Sequence, residues 1–280
     1  MPKTIVINSS NYVQGSGNKY VYKMPQTSYF ASGSGIGVSN ISIYNSIQNI
    51  TQKRGNNVVI LNWLGIDYTF TFEDGYYSVS DINAFLQQKM ILNGLYVTAN
   101  KGADNVYFVE LVVNSIRYAT SLNLYGIPTD AEATGLGYTK PANAQWSYPV
   151  SPQTPSLSFG QPFANLIGFT FGTYPLASPQ STNIQILSTQ TPVISPVDSL
   201  ILTCNLINSK YSIPNNVLFS VPITTAIGNI INVGISQIVY NDILPQNFSS
   251  LEITISDQLF QPVILLDKEL TLTLVIEEGK

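Results

Sequence analysis

The dominant period along the chain is two. Leu251, Ile253 and Ile255 alternate with Glu252, Thr254 and Ser256, and Leu270, Leu272, Leu274 and Ile276 alternate with Thr271, Thr273, Val275 and Glu277. Side chains on an extended strand point to opposite faces in turn, so each segment predicts a strand with one face in a core. The link between them, residues 257–268, is too long for a tight hairpin and has room for a short strand at 262–266. Other short runs are rich in Ile, Val, Tyr and Thr and are bounded by Asn, Gly, Ser or Pro. They predict strands at 4–7, 19–23, 39–45, 57–63, 68–72, 96–99, 105–113 and 117–124, then at 169–172, 183–187, 199–206, 217–222 and 230–240.

One segment has the helical period instead. Ile82, Phe85, Leu86 and Met90 share one face of a helix near 80–92. Ser80 suits its N-cap, Asp81 its first turn, and Gly94 its C-terminal stop. Phe85 and Leu86 are expected to face inward, and no other segment reads as a helix. Many short strands with long Pro-, Gly- and Asn-rich connections predict an all-β chain. The expected fold is an antiparallel jelly-roll β-sandwich with a second β module and one short helix. Two tandem jelly rolls are the alternative. An immunoglobulin sandwich lacks its Cys…Trp…Cys pattern here.

The stretch 141–197 holds no charged residue and nine of the chain's 16 prolines. Proline cannot donate a ladder hydrogen bond, so much of this stretch reads as extended loop or sheet edge. A connection is therefore placed at 128–155, between an N-terminal β module at 1–127 and a C-terminal one at 156–280. Aromatic residues crowd the same stretch, and read either as the core of the second module or as a contact surface. Part of 141–181 is too apolar for an idle solvated loop. Trp146, Tyr148, Phe159, Phe163 and Tyr174 are accordingly the candidate subunit interface, with Phe163→Asp expected to weaken assembly while leaving the single chain folded.

Charge and chemistry narrow the function. Charged residues are 10% of the 280 positions and hydrophobic ones 44%, where a soluble domain typically carries about 25% charged. Uncharged polar residues make up the difference, and such a surface repels other copies weakly. There is no histidine and one cysteine, Cys204. That removes His-based acid–base chemistry, Ser-His-Asp and Cys-His catalysis, intrachain disulfides and nearly all zinc sites. A histidine-driven pH switch is likewise not expected. The net charge of −4 and the absence of a basic run longer than Lys53-Arg54 argue against direct nucleic-acid binding. No transmembrane segment and no signal peptide are visible, which suggests synthesis in a reducing, intracellular setting. No enzyme activity, cofactor or metal is expected. Glu73-Asp74 before Gly75 reads as a turn. Asp242, Asp257 and Asp267 would hold a cation only if the fold gathered them. Gly33-Ser34-Gly35-Ile36-Gly37 does not match a dinucleotide fingerprint and reads as a flexible loop. A carbohydrate- or receptor-binding sandwich with an aromatic platform, and a two-carboxylate hydrolase, are the competing readings.

Four strings in fixed order carry a resemblance. Ile41-Ser42-Ile43-Tyr44-Asn45-Ser46-Ile47-Gln48-Asn49-Ile50-Thr51 is one, and Asp74-Gly75-Tyr76-Tyr77-Ser78-Val79-Ser80-Asp81-Ile82-Asn83 followed by Phe85-Leu86 is another. The third is Pro192-Val193-Ile194-Ser195-Pro196-Val197-Asp198-Ser199-Leu200-Ile201-Leu202-Thr203-Cys204-Asn205-Leu206-Ile207-Asn208, and the last runs from Leu251 to Ile276. Together they resemble the minor capsid (penton) proteins of virophages, Polintons and polinton-like viruses. The resemblance implies a jelly-roll capsomer with an additional β region projecting outward. It implies homopentamers at the vertices of an icosahedral virion assembled inside the host cell. The expected partners are the major capsid protein, a trimeric double jelly roll, and a host receptor. No catalytic residues come with such a family. A small double jelly-roll major capsid protein is the nearest alternative within the same setting.

Overall fold

The computed structural model describes residues 2–176 and 181–279. Residues 177–180 of the proline-rich stretch lie outside the described residues. In chain order the elements are β1 (Lys3–Asn8), β2 (Lys19–Tyr29), β3 (Gly35–Tyr44), β4 (Val58–Trp63), β5 (Ile66–Thr71), α1 (Val79–Asn93), β6 (Val97–Ala99), β7 (Asp104–Val106), β8 (Val109–Asn114), β9 (Ala119–Leu124) and α2 (Asp130–Gly135). They continue with β10 (Ser156–Phe159), α3 (Gln161–Ile167), β11 (Gly172–Tyr174), β12 (Ile184–Leu187), β13 (Ser199–Cys204), β14 (Val217–Pro222), β15 (Ile230–Gly234), β16 (Asn241–Asp242), β17 (Asn247–Asp257) and β18 (Leu270–Glu277).

These elements form two compact units. The first joins Met1–Gln48 to Val197–Lys280, and the second is Asn49–Pro196. In the first unit one sheet runs β1-β18-β3-β15, with β16 also on β3, and the other runs β14-β13-β17-β2. All of these pairings are antiparallel. Leaving aside the two-residue β16, the strands of this unit can be counted in chain order. One sheet then reads first-eighth-third-sixth, the other second-seventh-fourth-fifth. That order is the winding of an eight-stranded jelly roll, in which successive strands cross between two sheets. The second unit sits in the connection from the third strand to the fourth.

The alternation legible in the sequence sets the faces of this sandwich. Leu272 lies opposite Ile7 on one side and Ile41 on the other. Leu270, Leu272, Leu274 and Ile276 meet Leu251, Ile253 and Ile255 in one buried cluster with Ile36, Ile43, Leu200 and Leu202. The second unit has its own core. It contains sheets β11-β10-β4-β5 and β12-β9-β8 and the pair β6-β7, around Trp63, Phe72, Leu86, Phe163 and Phe169.

The expected division at 128–155 does not follow these units. β18 pairs with both β1 and β3, so residues 1–127 cannot complete the sheet that contains β1 and β3 by themselves. Strand pairing is non-local, and no compositional boundary reports it. The tandem alternative fails for a related reason: the strand orders of the second unit do not repeat those of the first.

Helix α1 is capped two residues earlier than expected. Ser78, rather than Ser80, is the N-cap: Asp81 N–H donates to Ser78 Oγ (3.2 Å) and Ser78 N–H donates to the Asp81 carboxylate (2.9 Å). This reciprocal pair satisfies two donors that a helix start otherwise leaves orphaned. Gly94 ends the helix at φ +67, and a Cβ there would lie 2.7 Å from Asn143 O. Leu86 is buried, as its periodicity implied, whereas Phe85 is half-buried, its ring 3.9 Å from that of Phe72. The Ser78 hydrogen bonds hold the Asp81 carboxyl below its usual 3.8. A depressed folded-state value means the stabilisation is present above the unfolded value and is lost as pH falls through the folded one. Ser78→Ala should therefore cost about 1 kcal/mol at neutral pH. Urea titrations of both proteins should show that difference narrowing as the pH falls through and below 3.8. A difference that stays constant into acid would sink the role given to Asp81.

Two further helices were not expected. α2 starts at a second capping box, Thr129 with Glu132, and α3 has Pro162 in its first turn and Gly168 as its left-handed C-cap. Both are short, and neither shows a long apolar stripe, so periodicity was silent. Residues 169–172 are the exit from α3, and the strand begins at Gly172. β10 was missed because it is four residues long and follows Pro155. Residues 105–113 divide into β7 and β8, and 262–266 make isolated bridges at Pro262 and Leu265 rather than a strand.

The glycine-rich string is also different from a flexible loop. Gly35 and Gly37 lie in β3, and residues 235–240 run closely over them. A Cβ at Gly37 would fall inside contact distance of Ile238 Cγ2 and 2.7 Å from Val239 O; one at Gly35 would meet Tyr240 Cβ at 3.0 Å. The expected strand at 230–240 accordingly stops at Gly234, and the chain crosses the glycines before resuming at β16. Gly37→Ala should destabilise the first unit by about 1–3 kcal/mol through overpacking. Gly228→Ala, in open space but at φ +81, separates this clash from simple backbone strain. A Gly37→Ala loss no larger than a few tenths of a kcal/mol would show that the loop moves aside freely.

Candidate functional site

The five candidate interface residues belong to the core of the second unit. Trp146 is buried, its ring 5.3 Å from Trp63 and 5.3 Å from Tyr148, and its Nε1–H donates to Gly94 O at 2.6 Å. Phe159 stacks on Tyr174 with centroids 5.4 Å apart. Phe163 lies 5.6 Å from Phe72 and 5.8 Å from Phe159. Tyr174 is anchored by its hydroxyl, which donates to Thr170 O at 3.1 Å. Phe159, Phe163 and Tyr174 are all buried, and Tyr148 is half-buried. Side chains closed off inside a folded unit cannot line a contact between subunits, so the expectation is corrected for Trp146, Phe159, Phe163 and Tyr174, while Tyr148 keeps part of its ring at the surface. The aromatic density of 146–174 was read rightly; which face those rings take was not in the sequence.

Lys140 closes this cluster at its edge. Its ammonium donates to Trp146 O at 3.0 Å and sits 5.6 Å from the Trp146 ring and 5.4 Å from that of Tyr148. A cation over an aromatic face is attracted by the ring quadrupole. Burial, followed by the charge of Asp130, pushes the Tyr148 hydroxyl above its usual value.

Three of the carboxylates singled out in the sequence, Asp74, Asp257 and Asp267, accept backbone N–H groups, while Asp242 lies in β16. Asp257 accepts from Leu259 N–H and Gln261 N–H, each at 2.8 Å, and Asp267 accepts from Glu269 N–H at 2.7 Å. Asp74 accepts from Gln52 N–H at 2.7 Å. Among the described residues no group of three or more His, Cys, Asp or Glu side chains is placed to hold a metal ion. Burial pushes the Cys204 thiol up to about 12, so it stays a protonated packing group. Burial likewise pushes Tyr20 up to about 12, while its hydroxyl donates to Lys268 O at 2.8 Å. No helix among the described residues is long and apolar enough to cross a membrane.

No protein-family model matches the sequence, and no curated protein matches it. Solved structures align with the chain over its whole length, two of them as follows. The mavirus penton protein aligns over 100% of this chain and 98% of its own, with 13% identity and a TM-score of 0.42. A chain of the Sputnik virophage structure aligns over 99% of this chain and 97% of its own, with 15% identity and a TM-score of 0.39.

Exposed apolar side chains remain within the aromatic stretch, Val150, Phe171 and Leu176 among them, and two further groups lie outside it. In the second unit, Val113, Ile116 and Tyr118 stand out at the β8–β9 turn beside a cavity of about 390 Å³ that Pro192 and Ile194 also line. In the first unit, Tyr211 and Ile213 between β13 and β14 are 99% and 96% exposed. The sequence marked neither group, because an isolated Ile or Tyr between polar neighbours has no periodicity to betray it.

Proposed function

We propose that the protein is a structural subunit of a viral capsid, a penton that assembles into pentamers at icosahedral vertices. The observation that carries the reading is the first unit's strand order, an eight-stranded jelly roll with a separate β unit inserted between its third and fourth strands. That is the organisation implied by the penton resemblance of the four sequence strings. A jelly roll alone serves lectins and enzymes as well as capsids, so the inserted β unit does the discriminating. The proposed partners are further copies of the chain and the major capsid protein of the same virion, with a host receptor as an outward partner. The proposed place is the vertex of a virion assembled inside the host cell. The mechanism is geometric and needs no catalytic group. Five copies related by a closed rotation repeat one heterologous contact. A surface poor in charge lowers the desolvation cost of that contact.

The ligand-binding reading loses most of its platform, because Trp146, Phe159, Phe163, Phe169 and Tyr174 are buried. Light-scattering mass after size exclusion tests the proposal. A species of five times 30.6 kDa supports it. A mass of one chain, unchanged on concentrating the sample and on adding major capsid protein, overturns it.

A further inference from the structure

A lysine of the first unit is paired with an asparagine rather than with a carboxylate. Lys268 Nζ donates to Asn18 Oδ1 at 2.8 Å. Asn18 is buried, and its carboxamide is held at the other end too, where Nδ2 donates to Val263 O at 2.6 Å. Its backbone is tied as well, Asn18 O accepting from Ile255 N–H at 3.0 Å. Lys268 is half-buried, and its own carbonyl accepts from the Tyr20 hydroxyl at 2.8 Å. The ammonium lies 5.8 Å from the centre of the Tyr12 ring, which packs 5.6 Å from that of Tyr20. Among the described residues the ion pairs are Lys3–Glu278 and Lys19–Glu252, and Lys268 is in neither. Burial pushes the Lys268 ammonium below its ordinary value, which favours the neutral amine.

A neutral amine held against a carboxamide can replace its nitrogen. The carbonyl bond of Asn18 adds only about 1.2 Å beyond Oδ1, so Nζ lies within about 4 Å of Cγ. Attack needs about 3–3.5 Å, which leaves the lysine about 1 Å or less to close. Holding two reacting groups at this range raises their effective concentration by orders of magnitude, and a desolvated lysine is a nucleophile. The step balances without a co-reactant. Lys268 gives one proton to water, and its lone pair adds to Cγ. The nitrogen then passes a second proton to Nδ2, the Cγ–Nδ2 bond breaks, and ammonia leaves and takes up the first proton as ammonium. One C–N bond forms, one breaks, and nothing is oxidised or reduced. The two fixed ends of the Asn18 carboxamide keep its carbon facing the amine while the exchange proceeds.

We propose that Lys268 and Asn18 join through an intramolecular isopeptide bond once the first unit has folded. Asn18 directly precedes β2 and Lys268 lies two residues before β18, and these strands belong to different sheets of the jelly roll. The bond therefore ties one sheet to the other. It also closes a loop of 250 residues that contains the whole second unit. A cross-link that closes so long a loop restricts the unfolded chain and stabilises the folded one. The bond is a property of the first unit and stands whether or not the chain is a capsid subunit.

The test is the mass of the full-length protein, followed under denaturing conditions during incubation at mildly alkaline pH, where more of the amine is neutral. The expected result is a species lighter than the sequence by one ammonia, which accumulates with time. Proteolysis of that species should release a branched fragment that joins the segment of Asn18 to the segment of Lys268. Lys268→Arg keeps the positive charge and a donor for Asn18 Oδ1, but a guanidinium does not deprotonate to a nucleophile, so this variant should keep its full mass. Should it fail to fold, the branched fragment from the unsubstituted protein carries the test. Three results overturn the proposal: an unchanged mass throughout, as expected of an ordinary hydrogen bond; loss of ammonia that persists in folded Lys268→Arg; or loss that maps to another asparagine, such as Asn93 before Gly94.

Discussion

Leu272→Asp should yield no folded first unit. Leu272 is 0% exposed, and its strand lies between β1 and β3, where Ile7 and Ile41 flank it. A carboxylate there has no partner on any side, because the facing cluster is aliphatic. Leaving an uncompensated charge in such a core costs about 3–5 kcal/mol or more, on top of the lost burial of the leucine, worth about 1.5–3 kcal/mol. Together these approach the whole stability of a typical domain, about 5–15 kcal/mol. The readout is soluble yield and the far-UV dichroism of whatever is recovered. Leu272→Met keeps the volume and should cost less than about 1.5 kcal/mol. Recovery of native Leu272→Asp protein would mean that β18 is not the packed centre of its sheet.

Phe163→Ala should destabilise the single chain by about 3–5 kcal/mol, the usual range for emptying a buried aromatic site. Phe163 is 1% exposed on α3 and touches the rings of Phe72 and Phe159. The loss should be visible in chemical denaturation at protein concentrations too low for assembly. Phe163→Asp should go further and prevent folding of the second unit, the reverse of what a contact residue would do. By contrast, Phe85→Ala should cost less than Phe163→Ala, because Phe85 is only half-buried and its space opens to solvent. A Phe163→Ala variant of near wild-type stability with weakened assembly would restore this residue to an interface.

How legible the molecule is from its sequence depends on how local each feature is. The alternation in 251–256 and 270–276 names the inward residues Leu251, Ile253, Ile255, Leu270, Leu272, Leu274 and Ile276 correctly and misses Phe248 at the start of β17, since the period of a strand is a property of the strand itself. The helix over 80–92 was legible for the same reason, and Gly94 marked its end. The capping boxes at Thr129 and Ser78 were also present in the sequence, though only the structure shows which candidate caps are used. The glycines at 35 and 37 could not be interpreted locally at all. Their need for a bare Cα comes from residues 235–240, two hundred positions away, which cross over them.

The aromatic stretch shows the same divide. Its composition demanded burial, and burial against the rest of the second unit or against another copy satisfies composition equally well. Only the positions of Trp63, Phe72 and the α1 side chains decide for the former. The pairing of Asn18 with Lys268 was likewise invisible, because the two lie 250 positions apart and are brought together by the path of the chain and by no motif. The sequence by itself determined the all-β class, the faces of the longest strands, the main helix and the lack of histidine chemistry, all of which follow from residue type and short spacing. The tertiary structure alone decided that the third and fourth strands of one jelly roll enclose a whole second unit. Strand pairing joins distant segments through backbone groups that every residue carries, so the side chains record which face is buried and leave the partner strand unspecified.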